Sequence, residues 1–375
     1  MTTAELETKT VSELTSFRTC PRMHSIAYVL GIVPLVDAPP LWYGTLIHKG
    51  LEEWWLAWGE GNGEDALPRA LDALSEAEAQ DAKKEGFDAA IYAKARVMLR
   101  AYDARWSGDM DRFEVVAVEA KFSAPLINPE TGRASRTYQL GGKLDVLVFD
   151  RKRERFTVVE HKTSSEDLEP GSAYWAKLRM DPQISTYFHG GDAILYETEL
   201  GGEAGDTIDD LLDDYGGKIK ACLYDVLGKP AKEPKLATPE ENRRYRKGKD
   251  KAEKALAAAD PTHPSLLDAR QRLEDETLGD YEARLTEHVA ENPERYLGRA
   301  EVVRLGDELE EFDFDVWQSV KTLHEGLRLG RFPRNPAACF KWGRPCAYWD
   351  VCTGSAQLDD ELKFRRKTAT NEELA

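Results

Sequence analysis

The stretch Gly142-Lys143-Leu144-Asp145-Val146-Leu147-Val148-Phe149-Asp150-Arg151-Lys152-Arg153-Glu154-Arg155-Phe156-Thr157-Val158-Val159-Glu160-His161-Lys162 decides how the rest of this 375-residue chain is read. Two apolar runs flank a polar segment, Asp150 to Arg155. The pattern predicts a hairpin with strands at roughly 139–149 and 156–163. If Phe149 pairs with Phe156, Asp145 falls opposite Glu160, because both pairs share one sum of residue numbers. Opposed side chains in an antiparallel pair have Cβ atoms about 4.5–5.5 Å apart. Two carboxylates at that spacing repel unless a cation lies between them. Alternation puts Glu160 and Lys162 on one face and His161 on the other, so one face carries Asp145, Glu160 and Lys162.

Hard oxygen donors of this kind suit Mg²⁺ or Mn²⁺. Such a cation polarises a phosphate oxygen and acidifies a bound water. Lys162 is then placed to orient or activate the attacking water and to offset developing negative charge. The same spacing also describes a solvated hairpin face on which Lys162 pairs the acids. A one-residue slip in register would undo the pairing.

Outward from the hairpin, residues 11–30 read as a short helix followed by an apolar segment. Residues 45–58 read as an amphipathic helix with Ile47, His48, Leu51, Trp54, Trp55 and Trp58 on one face. A lone histidine there is either a satisfied core residue or a ligand. Residues 65–106 read as helical, and 113–119 and 218–226 as strands. A helix begins near Asp181-Pro182, with Asp181 as N-cap and Pro182 as its first residue. Gln183 and Tyr187, four apart, share one face near its start. From Lys229 to Leu305 charged residues and helix formers dominate, which predicts a helical insertion. It holds the densest basic run, Arg243-Arg244-Tyr245-Arg246-Lys247-Gly248-Lys249-Asp250-Lys251. Residues 313–329 read as a closing helix, and the tail after Leu358 as polar and frayed.

Cys339, Cys346 and Cys352 form a C-x6-C-x5-C run. That is wider than the two-to-four-residue pairing of structural zinc sites. Iron–sulfur sites tolerate wider spacing and take four thiolates. Cys20, in Phe17-Arg18-Thr19-Cys20-Pro21-Arg22, is the candidate fourth, and Cys222 reads as a small buried hydrophobe in a strand. The other reading is of unrelated buried thiols. A cluster joining residue 20 to residue 352 would close nearly the whole chain into one loop and restrict the unfolded ensemble. A structural role is therefore expected.

Hydrophobic residues make up 41% and charged residues 32% of the chain, an ordinary globular balance. The longest apolar stretch, Ile26 to Val36, is too short to span a bilayer. Met1 to Thr10 has no apolar signal-peptide core. The cytoplasm is the expected location, where metal sites outnumber disulfides. The net charge of −17 taken alone argues against a nucleic-acid partner. Binding depends on local patches, however, and bound cations reverse the field around clustered carboxylates.

These motifs resemble, in order, the RecB-like branch of the PD-(D/E)xK nuclease superfamily. They are most similar to its iron–sulfur members, the AddB-type nuclease domain and the CRISPR-associated exonucleases. The matching elements are Phe17-x-x-Cys20-Pro21-Arg22, Gly44-x-x-x-His48, Gly142-x-x-Asp145, Glu160-His161-Lys162, Gln183-x-x-x-Tyr187 and the cysteine triplet. The resemblance covers about residues 11–228 and 313–353. It implies a mixed α/β fold: a small central mixed β-sheet flanked by helices, a restriction-endonuclease-like core. It implies that His48, Asp145, Glu160 and the backbone carbonyl of His161 ligate the divalent metal, with Lys162 the catalytic lysine. Gln183 and Tyr187 would orient the site and contact DNA. Cys20, Cys339, Cys346 and Cys352 would hold a [4Fe–4S] cluster. Glu160 stands where Asp is commoner, which keeps the oxygen ligand and lengthens its reach. The implied division is a core at 1–228, a charged helical insertion at 229–312, a closing helix and cysteine segment at 313–353, and a tail at 354–375.

The leading expectation is a DNA exonuclease acting on single strands or duplex ends, in replication, recombination or repair. Arg243, Arg244 and Lys247, with Tyr245 interleaved, would guide the strand by charge and stacking; the alternative is a solvated helix face. A second reading is a nuclease-like subunit of a recombination or CRISPR-adaptation complex, in which binding or assembly dominates. A paired-carboxylate glycosidase is disfavoured by the cysteines and by Lys162 beside Glu160. No G-x-x-x-x-G-K-[ST] motif occurs, so no motor is expected. Self-association through the helical region is left open.

Overall fold

In the computed structural model, which describes residues 6–35, 39–84, 86–199, 206–341 and 343–374, the hairpin is embedded in a long order of elements. Strand β1 (Glu7–Lys9) precedes α1 (Val11–Thr19), α2 (Pro21–His24), a π-helical turn and β2 (Ile32–Pro34). Helices α3 (Pro39–Gly59), α4 (Ala66–Asp81) and α5 (Ala89–Trp106) lead to β3 (Phe113–Asn128), β4 (Arg133–Asp150) and β5 (Arg155–Ser164). Helices α6 (Ala173–Lys177), α7 (Pro182–Glu199) and α8 (Asp206–Tyr215) precede β6 (Ile219–Gly228). Then come α9 (Lys251–Ala259), α10 (Leu278–Glu291), α11 (Pro293–Tyr296), β7 (Leu297–Val302) and α12 (Gly306–Leu329). The chain ends in β8 (Phe340–Lys341), β9 (Arg344–Pro345), α13 (Trp349–Thr353) and β10 (Phe364–Arg366).

The β4–β5 ladder runs from Asp150↔Arg155 through Phe149↔Phe156 to Val146↔Val159, the register that the residue sums give. It stops one step short of Asp145 and Glu160. The central sheet has six strands in the order β1-β4-β5-β6-β7, with β3 also paired to β4, and it mixes parallel and antiparallel neighbours. On one edge of β4, Tyr138 to Leu140 pair with parallel β1, while Val146 to Asp150 pair with antiparallel β5. Residues 141–145 lie between these two partners, and the gap is where the candidate site opens.

Two cores cover the two faces. Val146, Val148, Val159 and Leu223 pack with Ile47, Leu51, Trp54 and Trp55 of α3 and with α5. Leu144, Leu147, Phe149, Phe156 and Val158 pack with Ile184, Phe188 and Leu195 of α7 and with α12. The alternation of apolar residues along each strand thus feeds both helical layers. Gly142 makes room for the Phe122 ring: a Cβ there would lie 2.7 Å from Phe122 Cζ.

Several elements differ from the sequence reading. The helical run at 65–106 is two helices, α4 and α5. The strand expected at 113–119 continues to Asn128, because its partner β4 begins at Arg133. The stretch from Lys229 to Leu305 is only partly helical. Residues 243–250 are irregular, held by a Tyr245↔Leu267 bridge, so the basic run is not a helix face. Residues Leu297–Val302 form β7 and pair with β6 in the central sheet, and α10 buries Tyr281, Leu285 and Val289 in the α3–α5 core. Charged composition hid this short strand and the amphipathic helix before it. The tail is not frayed at Phe364–Arg366, which pairs with Ile32–Pro34 and buries Phe364.

Candidate metal centre and cysteine cavity

Helix α3 brings His48 to the gap in the sheet. A Cβ at Gly44, one turn earlier, would lie 3.4 Å from Thr163 Oγ1, so the helix runs close over β5. His48 Nδ1 then lies 3.4 Å from Asp145 Oδ1. The other Asp145 oxygen accepts the backbone N–H of His161 at 2.7 Å. Where the ladder stops, the carboxylate replaces the missing strand partner. Glu160 is fully buried and ion-paired with half-buried Lys162. Its Oε2 is buried without a hydrogen-bond partner, and an orphaned carboxylate oxygen of this kind fits a cation ligand.

Helix α7 supplies the opposite wall. Asp181 caps it, accepting the Gln183 N–H at 2.9 Å, and Pro182 is its first residue. Gln183 Nε2 donates to the Tyr187 hydroxyl. Burial raises the Tyr187 pKa well above its usual value, and the nearby charges of Glu160 and Asp145 raise it further. Arg304, buried beneath, donates to Ser185 Oγ, Leu178 O and Asp181 O and fixes the start of this helix.

The charges interact strongly. Burial works against ionised Asp145, yet His48, His161 and Lys162 together hold its pKa below the usual carboxylate range. Burial and then repulsion by Asp145 push Glu160 up to about 7. Burial would lower His48, but Asp145 and Glu160 outweigh it and raise its pKa. Burial also opposes charge on Lys162, but Glu160 and Asp145 raise its pKa further, so it is held as a cation. Burial drives His161 down to about 4.

One residue of the centre was missed by the sequence reading. His48, Glu119 and Asp145 each offer a ligand atom within 4.8 Å of the others. Glu119 is ion-paired with Lys143 and has φ 51°, a left-handed conformation uncommon outside glycine. Burial raises its pKa despite Lys143. Counting along β3 and β4 would have missed it by one residue, because the register shifts between Val115↔Val148 and Ala117↔Leu147.

The cysteines come together from both ends of the chain. Cys20, Cys339, Cys346 and Cys352 line one small cavity with Met23, Asn335, Tyr348 and Trp349. Asn335 ties the two segments, its backbone N–H donating to Cys20 Sγ at 3.4 Å and its side chain to Thr19 O at 2.8 Å. All four thiols are free, and burial together with the other three sulfurs raises the Cys352 pKa in spite of Arg22. Among the described residues, ligand atoms grouped within 4.8 Å fall on His48, Glu119 and Asp145 and not on the cysteines. Four thiols around one cavity are a donor set that a thiolate-held metal group would use. Cys222 stands apart, buried in β6.

Arg243 Nε donates to Thr238 O, and the Arg244 N–H to Gln271. Among the described residues, no hydrogen bond joins Arg243, Arg244 or Lys247 to Asp145 or Glu160.

A mixed sheet flanked by helices, with acids and a lysine where two strands part, is a restriction-endonuclease-like architecture. The chain belongs to the PD-(D/E)XK nuclease superfamily, whose family model matches residues 8–353. Membership implies a metal-dependent nuclease with DNA as substrate. No curated protein matches the chain by sequence. No described helix is long and apolar enough to cross a membrane.

Proposed function

We propose that this chain is a DNA exonuclease of the RecB-like, iron–sulfur branch, acting on single strands or duplex ends in the cytoplasm. The observation that carries the reading is the convergence of His48, Asp145, Glu160 and Lys162 at the gap in the sheet. The four-cysteine cavity supports the choice of branch. His48, Asp145, Glu160 and the His161 carbonyl, joined by Glu119, are the residues that would hold Mg²⁺ or Mn²⁺. A bound divalent cation supplies Lewis acidity at the phosphate and a more acidic water. Lys162, held as a cation beside Glu160, would orient the attacking water and offset charge on the phosphate. Tyr187 and Gln183 fix the Glu160 carboxylate from the α7 side and face the substrate strand. Cys20, Cys339, Cys346 and Cys352 would hold a [4Fe–4S] cluster that clips the chain ends together.

The test is digestion of end-labelled single- and double-stranded DNA by anaerobically purified protein with Mg²⁺, Mn²⁺ or EDTA. Metal-dependent shortening from an end, absent in Lys162→Ala, is the expected result. Internal cuts in circular DNA would refute exonuclease action. Inert protein with every metal would refute the enzyme.

A further inference from the structure

Behind the carboxylates, helix α3 grips the side chain of His161. Trp55 donates its indole N–H to His161 Nε2 at 2.9 Å. An indole nitrogen can only donate, so Nε2 accepts and the ring proton lies on Nδ1. That nitrogen is 3.8 Å from Asp145 Oδ2, the same oxygen that accepts the His161 backbone N–H. The separation is too long for a hydrogen bond. It still sets the positive end of the N–H dipole against the carboxylate. The other tautomer would set a lone pair there.

One group pulls the other way. Asp225 Oδ2 lies 3.9 Å from His161 Nε2 and attracts a proton to it. Two donors occupy that oxygen: the Tyr102 hydroxyl at 2.7 Å and Arg299 Nη2 at 2.8 Å. Arg299 also reaches the Tyr102 hydroxyl at 3.1 Å and stacks on Trp106 at 3.9 Å. Trp55, Tyr102, His161 and Asp225 are all buried, so water does not scramble this arrangement.

We propose that Trp55, aided by Tyr102 and Arg299, fixes the tautomer of His161, which thereby acts as a positioning residue for Asp145. The His161 backbone N–H bonds Oδ2, the Nδ1–H dipole faces that same oxygen, and Oδ1 is left facing His48. The inference rests on reading Asp145 as a metal ligand. Outer partners of this kind typically change metal affinity by about 10–100-fold.

The test uses the full chain with ¹⁵N-labelled histidine. Long-range ¹H–¹⁵N correlations report each tautomer, and Mn²⁺ titration reports affinity without any cleavage. The parent is expected to carry the His161 proton on Nδ1. Trp55→Phe keeps an aromatic ring on the buried face but loses the donor together with part of the indole's volume. It should move the proton to Nε2 under the pull of Asp225 and weaken Mn²⁺ binding about tenfold. His161→Asn places an amide nitrogen near Nδ1 and should bind Mn²⁺ close to the parent. His161→Gln reaches only toward Nε2 and should bind as weakly as Trp55→Phe. An unchanged tautomer in Trp55→Phe, or a shifted tautomer with unchanged affinity, would overturn the proposal. So would equal weakening in the folded Asn and Gln variants. A parent that binds no Mn²⁺ sinks the metal reading of Asp145 instead, and the tautomer spectrum tells the two failures apart.

Discussion

Glu119 faces Asp145 across the β3–β4 pair, between Val118↔Val146 and Ala120↔Leu144, and both carboxylates share a 4.8 Å grouping with His48. Like charges that close are destabilising unless something positive answers them. Lys143 answers Glu119, and His48 answers Asp145. A bound cation would answer both at once. Glu119→Gln keeps the size and removes the charge. It should lower Mn²⁺ affinity at least about tenfold with little change in thermal stability. Isothermal titration checks this, and an unchanged affinity would make Glu119 a structural partner of Lys143 alone.

Metal uptake should be linked to pH. Glu160 is raised to about 7 and His48 is raised above its usual value. Both hold protons in the metal-free protein that ligation must displace. The sign follows: affinity falls as pH drops through about 7, where Glu160 takes up its proton, and further as His48 is protonated. Below that point each unit of acidification costs about tenfold for every proton displaced. Titrations in buffers of different ionisation enthalpy should show net proton release near neutrality. No release at pH 7 would mean that Glu160 is already ionised, or lies outside the ligand set.

Lys162 is the cleanest probe of chemistry. Its ammonium is paired with buried Glu160, and removing one partner of a buried pair normally costs about 3–5 kcal/mol. Glu160 has another recourse, because it gains a proton near neutrality. Lys162→Ala should therefore fold with a modest loss of stability, while cleavage falls by roughly 10²–10⁴-fold. The two readouts should diverge with pH: removing Lys162 raises the Glu160 pKa beyond its parent value, so stability suffers only at higher pH, where Glu160 is left ionised and unpaired. A variant that cleaves at the parent rate would remove Lys162 from the mechanism.

The hairpin and the placement of Asp145 and Glu160 were legible because period-two alternation and a short polar turn fix register almost by counting. Helical spacing and the Asp181-Pro182 start signal placed His48, Gln183 and Tyr187 on their helices, while a role for them at the site came only from the family resemblance. Glu119 was not, since its strand was read as ending there and its left-handed backbone leaves no mark in the residue pattern. Strand β7 was hidden because Leu297–Val302 is short and set among charges, and its strand character comes from pairing with β6. The grip of Trp55 on His161 was equally hidden: Trp55 looks like one more core residue until β5 is docked beneath α3.

The cysteine cavity makes a prediction of its own. Asn335 and the Arg22 N–H, which donates to Pro333 O at 3.0 Å, join the α1–α2 and 333–353 segments by hydrogen bonds of the chain itself. Loss of a cluster should loosen this junction rather than abolish the fold. Anaerobically purified protein should be brown with four irons per chain, the stoichiometry of a [4Fe–4S] cluster. Cys346→Ser should lose colour and iron and melt several degrees lower. Cys222→Ala, in the buried β6 position, should keep its iron whatever it costs in packing. The contrast separates ligand loss from general destabilisation, because only the cavity cysteine changes the absorbance. Stoichiometric zinc in place of iron would overturn the cluster and leave the junction to a smaller ion.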